Sequence, residues 1–356
     1  MNLTKLKQNK STKELLEFGI INIDKSSGPT SFNISQFVKN KLRLRKTSHL
    51  GTLDPKVTGV LPVTLNRACK IAGYLISHDK TYVGIMRFHE DIPQKKVEEA
   101  IKKKFLGEIT QLPPVKSRVK RAERQRTIHY FKILEVENIL EKSPQITSEN
   151  EFFGNRVGRA KRFSGGQINS KKFIAKTKGK DFLFETKVQG GTYIRKLIHD
   201  LGEELKIGAH MLELRRTQAG IFDESTITKL YDFEKAVDEY KKGNDKTLRN
   251  MITPAEIITE FYPVVEVKEN EIEKLWTGKP FLYEYLVDKK KASKVCGIID
   301  CDEQSEERSR VGWEGNHKAE REKVIVFSKD KFIGIYKVTN EKEIFARPEF
   351  VLQPIK

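Results

Sequence analysis

The chain has 356 residues, 33% of them charged and 37% hydrophobic, with 67 Lys+Arg against 49 Asp+Glu and a net charge of +18. That length suits one large domain with a small one, or two medium ones. It holds no window of the ~18 apolar residues that cross a membrane. The opening M-N-L-T-K-L-K-Q-N-K-S-T-K leads into no apolar stretch, so it does not read as a signal peptide.

Three cysteines fit a reducing, cytoplasmic setting. Cys69 sits in an apolar pattern and reads as a core residue; Cys296 and Cys301 lack the second pair that would complete a zinc site, so no metal is expected. The cationic excess is clustered: Lys39, Lys41, Arg43, Arg45 and Lys46; then Lys116, Arg118, Lys120, Arg121, Arg124 and Arg126; then Arg156, Arg159, Lys161 and Arg162; then Lys171, Lys172, Lys176, Lys178 and Lys180. Four such clusters read as a phosphate-binding surface, and the polyanion they imply is nucleic acid.

In chain order, residues 1–17 read as a flexible basic arm. G-I-I-N-I-D (19–24) is a short strand. Thr30 or Ser31 caps a helix whose Phe32, Ile34, Phe37, Val38 and Leu42 recur at helical spacing. G-V-L-P-V-T-L (59–65) is a buried strand, a helix passes through Ile71, Ala72 and Leu75, and K-T-Y-V-G-I-M-R-F (80–88) alternates as a strand does. Pro93 opens a helix that ends near Gly107, and 127–136 is a strand.

Residues 140–180 are polar, basic and Gly/Ser-containing, and read as an insertion. Beyond them D-F-L-F-E-T-K-V is a strand, and G-G-T-Y-I-R-K-L-I-H-D-L-G a tight turn into a helix ending at Gly202. M-L-E-L-R-R-T is a strand, and T-K-L-Y-D-F-E-K-A-V-D-E-Y an amphipathic helix. A boundary falls near Ile258. After it come a helix ending at Gly278, a polar stretch 300–322, and a hairpin, K-V-I-V-F-S-K-D-K-F-I-G-I-Y-K-V-T. The expected architecture is α+β: an arm over 1–17, a mixed-sheet domain over 18–257 carrying the 140–180 insertion, and a small β-barrel-like module over 258–354.

Residues 47–63, T-S-H-L-G-T-L-D-P-K-V-T-G-V-L-P-V, hold the chemistry. Pro55 restricts Asp54 to extended geometry, and Gly51 and Gly59 permit turns that other residues make only under strain. The loop fixes one carboxylate in one orientation, although Asp-Pro alone is an ordinary turn starter.

The whole string resembles the catalytic motif of the TruB-type pseudouridine synthases, and more closely the branch of dyskerin and the archaeal box H/ACA pseudouridine synthase. K-T-Y-V-G (80–84) is similar to the family's tyrosine motif. Q-L-P-P-V-K-S-R-V-K-R (111–121) resembles its basic Q-x-P-P-x-x-S motif. G-T-Y-I-R-K-L-I-H-D-L-G (191–202) and G-A-H-M-L-E-L-R-R-T-Q-A-G (208–220) are similar to its last two catalytic-domain motifs, all in the family's order.

The resemblance implies a pseudouridine synthase catalytic domain followed by a PUA-like RNA-binding domain. It also implies isomerisation of uridine to pseudouridine in RNA, with no cofactor. A glycosidase sets two carboxylates about its bond; the resemblance supplies one, Asp54, as the catalytic residue. Attack on C1′, addition to the base and removal of a sugar proton all remain open to it. By the same carry-over Tyr82 stacks on the flipped uracil, Arg195 pairs with Asp54 and keeps it ionised, and Leu214 floors the base. His49 lines the pocket or holds the loop by a hydrogen bond. Lys116, Arg118, Lys120 and Arg121 grip phosphates, offsetting the cost of flipping the base.

Guided members of the family work with a box H/ACA guide RNA and small partner proteins, on rRNA and possibly tRNA. They lack the long insertion with which stand-alone members grip the tRNA T-loop. Here Q-L-P-P runs almost directly into T-I-H-Y-F-K-I-L-E, the short form. The guided reading is favoured, and the absence of a lysine-rich tail favours an archaeal-type protein. A stand-alone tRNA enzyme and a non-catalytic RNA scaffold are the alternatives.

Overall fold

The computed structural model describes residues 2–113, 121–134, 179–290 and 323–354. Residues 140–178 of the expected insertion, the polar stretch 300–322, Cys296 and Cys301 lie outside the described residues. The chain folds as two compact units, Met1–Lys80 with Arg216–Lys356, and Thr81–Arg215.

The first unit opens with α1 (Leu3–Asn9) and α2 (Thr12–Glu17), where a flexible arm was expected. Capping explains the correction. The Asn2 side chain accepts from Lys5 N, and Ser11 and Glu14 form a capping box that satisfies donors at both positions. Leu6, Leu15 and Leu16 are buried, Lys10 pairs with Glu256, and Arg249 Nη2 donates to Lys10 O at 2.8 Å.

Strand β1 (Gly19–Lys25) is buried along almost all its length, its polar Asn22 included, as befits a strand covered on both faces. Helix α3 (Ser31–Leu42) starts at the expected Thr30 cap and stops where Arg43 turns left-handed, φ 52°. Strand β2 (Thr47–His49) pairs antiparallel with β3 (Thr58–Leu65), His49 opposite Val63. β3 pairs antiparallel with β1 from Ile20–Thr64 to Lys25–Gly59. Cys69 lies half-buried in a 3-10 turn before α4 (Ala72–Ile76).

The second unit contains β4 (Lys80–Phe88) after its first residue, α5 (Gln94–Lys104), β5 (Gly107–Gln111), β6 (Arg124–Leu134), β7 (Lys180–Val188) and α6 (Ile194–Glu204). Its strands run in the order β4-β7-β6-β5. Strand β8 (Ala209–Ala219) begins beside β4 and carries the chain into the first unit at Arg216.

The first unit resumes with β9 (Phe222–Asp223), β10 (Thr228–Lys229), α7 (Leu230–Lys241), α8 (Lys246–Met251) and β11 (Ile252–Pro254). β10 joins β1 in parallel and β11 joins it antiparallel, which makes the sheet mixed. The C-terminal stretch holds β12 (Val264–Glu266), α9 (Ile272–Trp276), β13 (Phe281–Leu282), β14 (Lys323–Ser328), β15 (Lys331–Glu341) and β16 (Ile344–Val351). These form a separate five-stranded sheet, β12-β14-β15-β16-β13, built on the expected β14–β15 hairpin. The two-residue period of β14 divides its side chains. Val324 and Val326 enter a local core with Leu275, Phe281 and Phe345. Ile325 and Phe327 face the other way and pack with Phe18, Ile20 and Ile258.

Candidate active site

The loop between β2 and β3 is held almost entirely through its own backbone. Lys25, at the end of β1 and 0% exposed, donates its three ammonium protons to Ser26 O (3.0 Å), Pro55 O (2.9 Å) and Val57 O (2.8 Å). Ser31, fully buried at the start of α3, accepts from Leu53 N at 2.8 Å and donates to Leu53 O at 3.1 Å. Gly28 N donates to Pro55 O at 2.9 Å. Arg216, 1% exposed, donates from Nε to Val60 O at 2.8 Å and from Nη2 to Gly51 O at 3.0 Å. Gly51 lies at φ 88°, and a Cβ there would stand 3.1 Å from Arg216 Nη1 and 3.4 Å from Lys80 Cε, so the loop and the guanidinium need a glycine between them.

With Leu53 and Val57 buried, Asp54 is left exposed between two anchored neighbours, its own carbonyl closing a turn with Val57 N at 3.0 Å.

The buried cations Lys25, Lys80 and Arg216 lie about this loop. Burial pushes the Lys25 ammonium down, and the negative charge of Asp54 acts in the opposite sense. Lys80 donates to Ile76 O and His78 O; burial first, then the Arg216 charge, lower it to about 8. His49 is half-buried on β2, its Nε2 3.2 Å from Thr52 Oγ1, and burial followed by the Arg216 charge lowers its pKa, favouring the neutral ring at pH 7. Of its two expected roles, the loop-stabilising hydrogen bond is present.

In the second unit Tyr82 is buried on β4. Leu214 is buried on β8, against the bare backbone of Gly84: a Cβ there would meet Leu214 Cδ1 and Phe184 Cε1, each at 3.0 Å, and Glu213 O at 2.7 Å. Arg195 is exposed on the first turn of α6. That turn is fixed by Gln111, whose Oε1 accepts from Tyr193 N at 3.0 Å and whose Nε2 donates to Tyr193 O at 3.3 Å. Gln189 Oε1 accepts from Thr127 N at 3.2 Å, and Thr192 Oγ1 donates to Gln189 O at 2.8 Å. Arg121 is exposed just before β6; Lys116, Arg118 and Lys120 lie outside the described residues.

Lys25, Lys80, Arg216 and Gln111 were not singled out by sequence reasoning. The last three stand inside motifs it quoted; Lys25 closes β1 beside the polar Asn22 and Asp24, and nothing local marks it. Among the described residues no group of three or more His, Cys, Asp or Glu side chains is placed to hold a metal ion, and no helix is long and apolar enough to cross a membrane.

The profile of the TruB family pseudouridylate synthase N-terminal domain matches residues 39–151, and that of the tRNA pseudouridylate synthase B C-terminal domain matches 195–260. A probable tRNA pseudouridine synthase B of Methanopyrus kandleri is 36% identical over 272 residues, 76% of this chain and 68% of the relative. The chain belongs to the TruB family of pseudouridine synthases. The probable tRNA pseudouridine synthase B of Pyrococcus horikoshii is 37% identical over 259 residues, 72% of this chain and 65% of its own length. The match thus spans about two thirds of these relatives.

Among solved structures, one of a Cbf5-Nop10-Gar1 complex covers 98% of this TruB-family chain and 89% of its own, at TM-score 0.71 and 30% identity. One of an H/ACA RNP bound to a substrate RNA containing 2′-deoxyuridine covers the same shares at TM-score 0.69 and 28% identity. The five-stranded C-terminal sheet is like the PUA domain of the first of these.

Proposed function

We propose that this chain isomerises uridine to pseudouridine in RNA through Asp54, as the catalytic subunit of a box H/ACA guide ribonucleoprotein. The observation that carries the reading is the Asp54 loop, whose backbone is pinned by Lys25, Ser31 and Arg216 while the Asp54 side chain is exposed at its surface. A nucleophile or base held in this way meets its target without a reorganisation cost.

The reaction conserves composition. The N1–C1′ bond breaks, the uracil turns, C5 bonds to C1′, the C5 proton leaves and N1 takes up a proton. In this reading Tyr82 offers its ring to the flipped base, Leu214 supports it from an apolar side, and Arg195 is the counter-charge of Asp54. Arg121 and the lysines and arginine just before it grip phosphates.

Two observations support the guided branch. Gln111 and Arg124 face each other as β5 and β6 pair, so only 112–123 separate the strands and no long tRNA-gripping insertion fits there. The solved structures similar over 98% of the chain come from H/ACA complexes, and their Nop10- and Gar1-type proteins are the partner class proposed here. A stand-alone enzyme is the second reading, favoured by its relatives' being probable tRNA pseudouridine synthases.

Primer-extension mapping of pseudouridine, with Asp54→Asn as the blank, tests both. The expected result is product only when guide RNA and the small partner proteins are added, none from Asp54→Asn, and RNA binding retained by the variant. A T-loop stop on an unmodified tRNA transcript with the protein alone would replace the guided reading by the stand-alone one. Absence of product under every condition would overturn the activity.

A further inference from the structure

Beside the Asp54 loop, in the same unit, lies a groove of about 190 Å³ between α3 and β2. Its helical wall is one stripe of α3, Phe32, Ser35, Gln36 and Lys39, spaced i, i+3, i+4 and i+7. Its other wall includes Lys46 and His49. The two walls are stitched together by Thr47 Oγ1, which donates to Ser35 O at 2.9 Å.

Three features describe what this groove takes. Phe32 is 66% exposed, an apolar ring kept in water at the mouth of a groove. Lys39 and Lys46 carry no ion pair among the described residues, whereas Lys41 and Arg45, from the same basic run, are spent on Glu234 and Glu17. The volume is smaller than the ~300 Å³ at which pockets for drug-sized molecules begin, so it fits one flat ring and not a whole ligand. A bare aromatic face next to unpaired ammonium groups is how single-stranded nucleic acid is held, base on ring and phosphate on lysine.

Position supplies the rest. Ser31, next to Phe32, is hydrogen-bonded to Leu53, next to Asp54. His49, at the other wall, is bonded to Thr52, two residues before Asp54. The groove therefore abuts the catalytic loop from both of its walls.

We infer that the α3–β2 groove is a subsite for the unpaired RNA nucleotide adjoining the target uridine, with its base stacked on Phe32 and its phosphates on Lys39 and Lys46. This rests on the RNA-modifying reading above. A base held there keeps the neighbouring uridine from sliding back into its stack, so the subsite contributes to substrate capture rather than to the chemical step.

The test is a cycle of two changes in the assembled, active protein. Phe32→Ala removes an exposed ring and leaves the folded core untouched. The second change is a substrate RNA made abasic at the nucleotide on either side of the target. Phe32→Ala is expected to raise KM roughly tenfold and leave kcat within about twofold. For the wild type, one of the two abasic RNAs should give the same KM rise, and Phe32→Ala should add nothing further to it. Lys39→Gln with Lys46→Gln should flatten the dependence of log KM on log salt by about one to two units.

If the wild type turns over and Phe32→Ala leaves KM unchanged, the subsite is overturned while the activity stands. Multiplication of the Phe32 and abasic effects would also overturn it, since the ring would then touch something else, such as an acidic partner protein. A wild type that makes no product at all fails at the earlier step and removes the ground for the inference with it.

Discussion

Two short segments present Asp54 and Arg195, the charged residues of the proposed site, and they are fixed by opposite means. The Asp54 loop is tied down by cations, with Lys25 bonding Pro55 O and Val57 O, and Arg216 bonding Gly51 O and, just beyond the loop, Val60 O. The turn that leads to Arg195 is tied down by neutral amides, Gln111 to Tyr193 and Gln189 to Thr127. Cations satisfy carbonyls with stronger, charge-assisted bonds, but each must be desolvated to do so. Amides fix a turn at smaller cost and add no field. The comparison teaches that charge under the carboxylate is built in, whereas neutrality under the arginine is maintained.

Removing the cationic clamp should be the more damaging change. Lys25→Met leaves Ser26 O and Val57 O without this donor and Pro55 O with Gly28 N alone, and the expected loss is about 3–5 kcal/mol in urea unfolding. A loss under 1 kcal/mol would mean that Gly28, Ser31 and Arg216 suffice to hold the loop.

The second expectation concerns pH. Lys80 sits near 8 when folded against an ordinary 10.5, so between those values the unfolded chain binds the extra proton. Folding should therefore gain stability as pH rises from about 8 towards 10, by about 2–3 kcal/mol relative to Lys80→Met, whose profile lacks this rise. Parallel profiles for the two proteins would show that Lys80 keeps contact with water.

The smallest effect belongs to the amide side. Gln111→Leu should cost about 1–2 kcal/mol, by leaving Tyr193 N without its partner. Its kcat should fall more than its KM rises if Arg195 acts on Asp54. A loss as large as that of Lys25→Met would erase the distinction between the two segments.

Much of this could be read from the sequence where local rules decide. Thr30 caps α3, Pro93 precedes α5, alternation marks β4 and β7, and the Asp-Pro pair with its two glycines marks the loop. What escaped depends on distant partners. Lys25, Lys80 and Arg216 look in sequence like any of the 67 basic residues. They are buried because carbonyls 1 to 165 positions away converge on them. The arm looked unstructured because its charges outnumber its leucines, yet Leu6, Leu15 and Leu16 are enough to seat two capped helices. The strand β2 is three residues long, too short for a period to show.

The clamp also has an order in time. Arg216 bonds Val60 across 156 positions, and all of Thr81–Arg215 is synthesised between them. At translation rates of about 5–20 residues per second, the aspartate loop waits roughly 8–30 s on the ribosome before its last donor emerges. The nascent chain thus has Asp54 long before it has the arginine that holds the loop backbone still, and the clamp closes only after the second unit has been made.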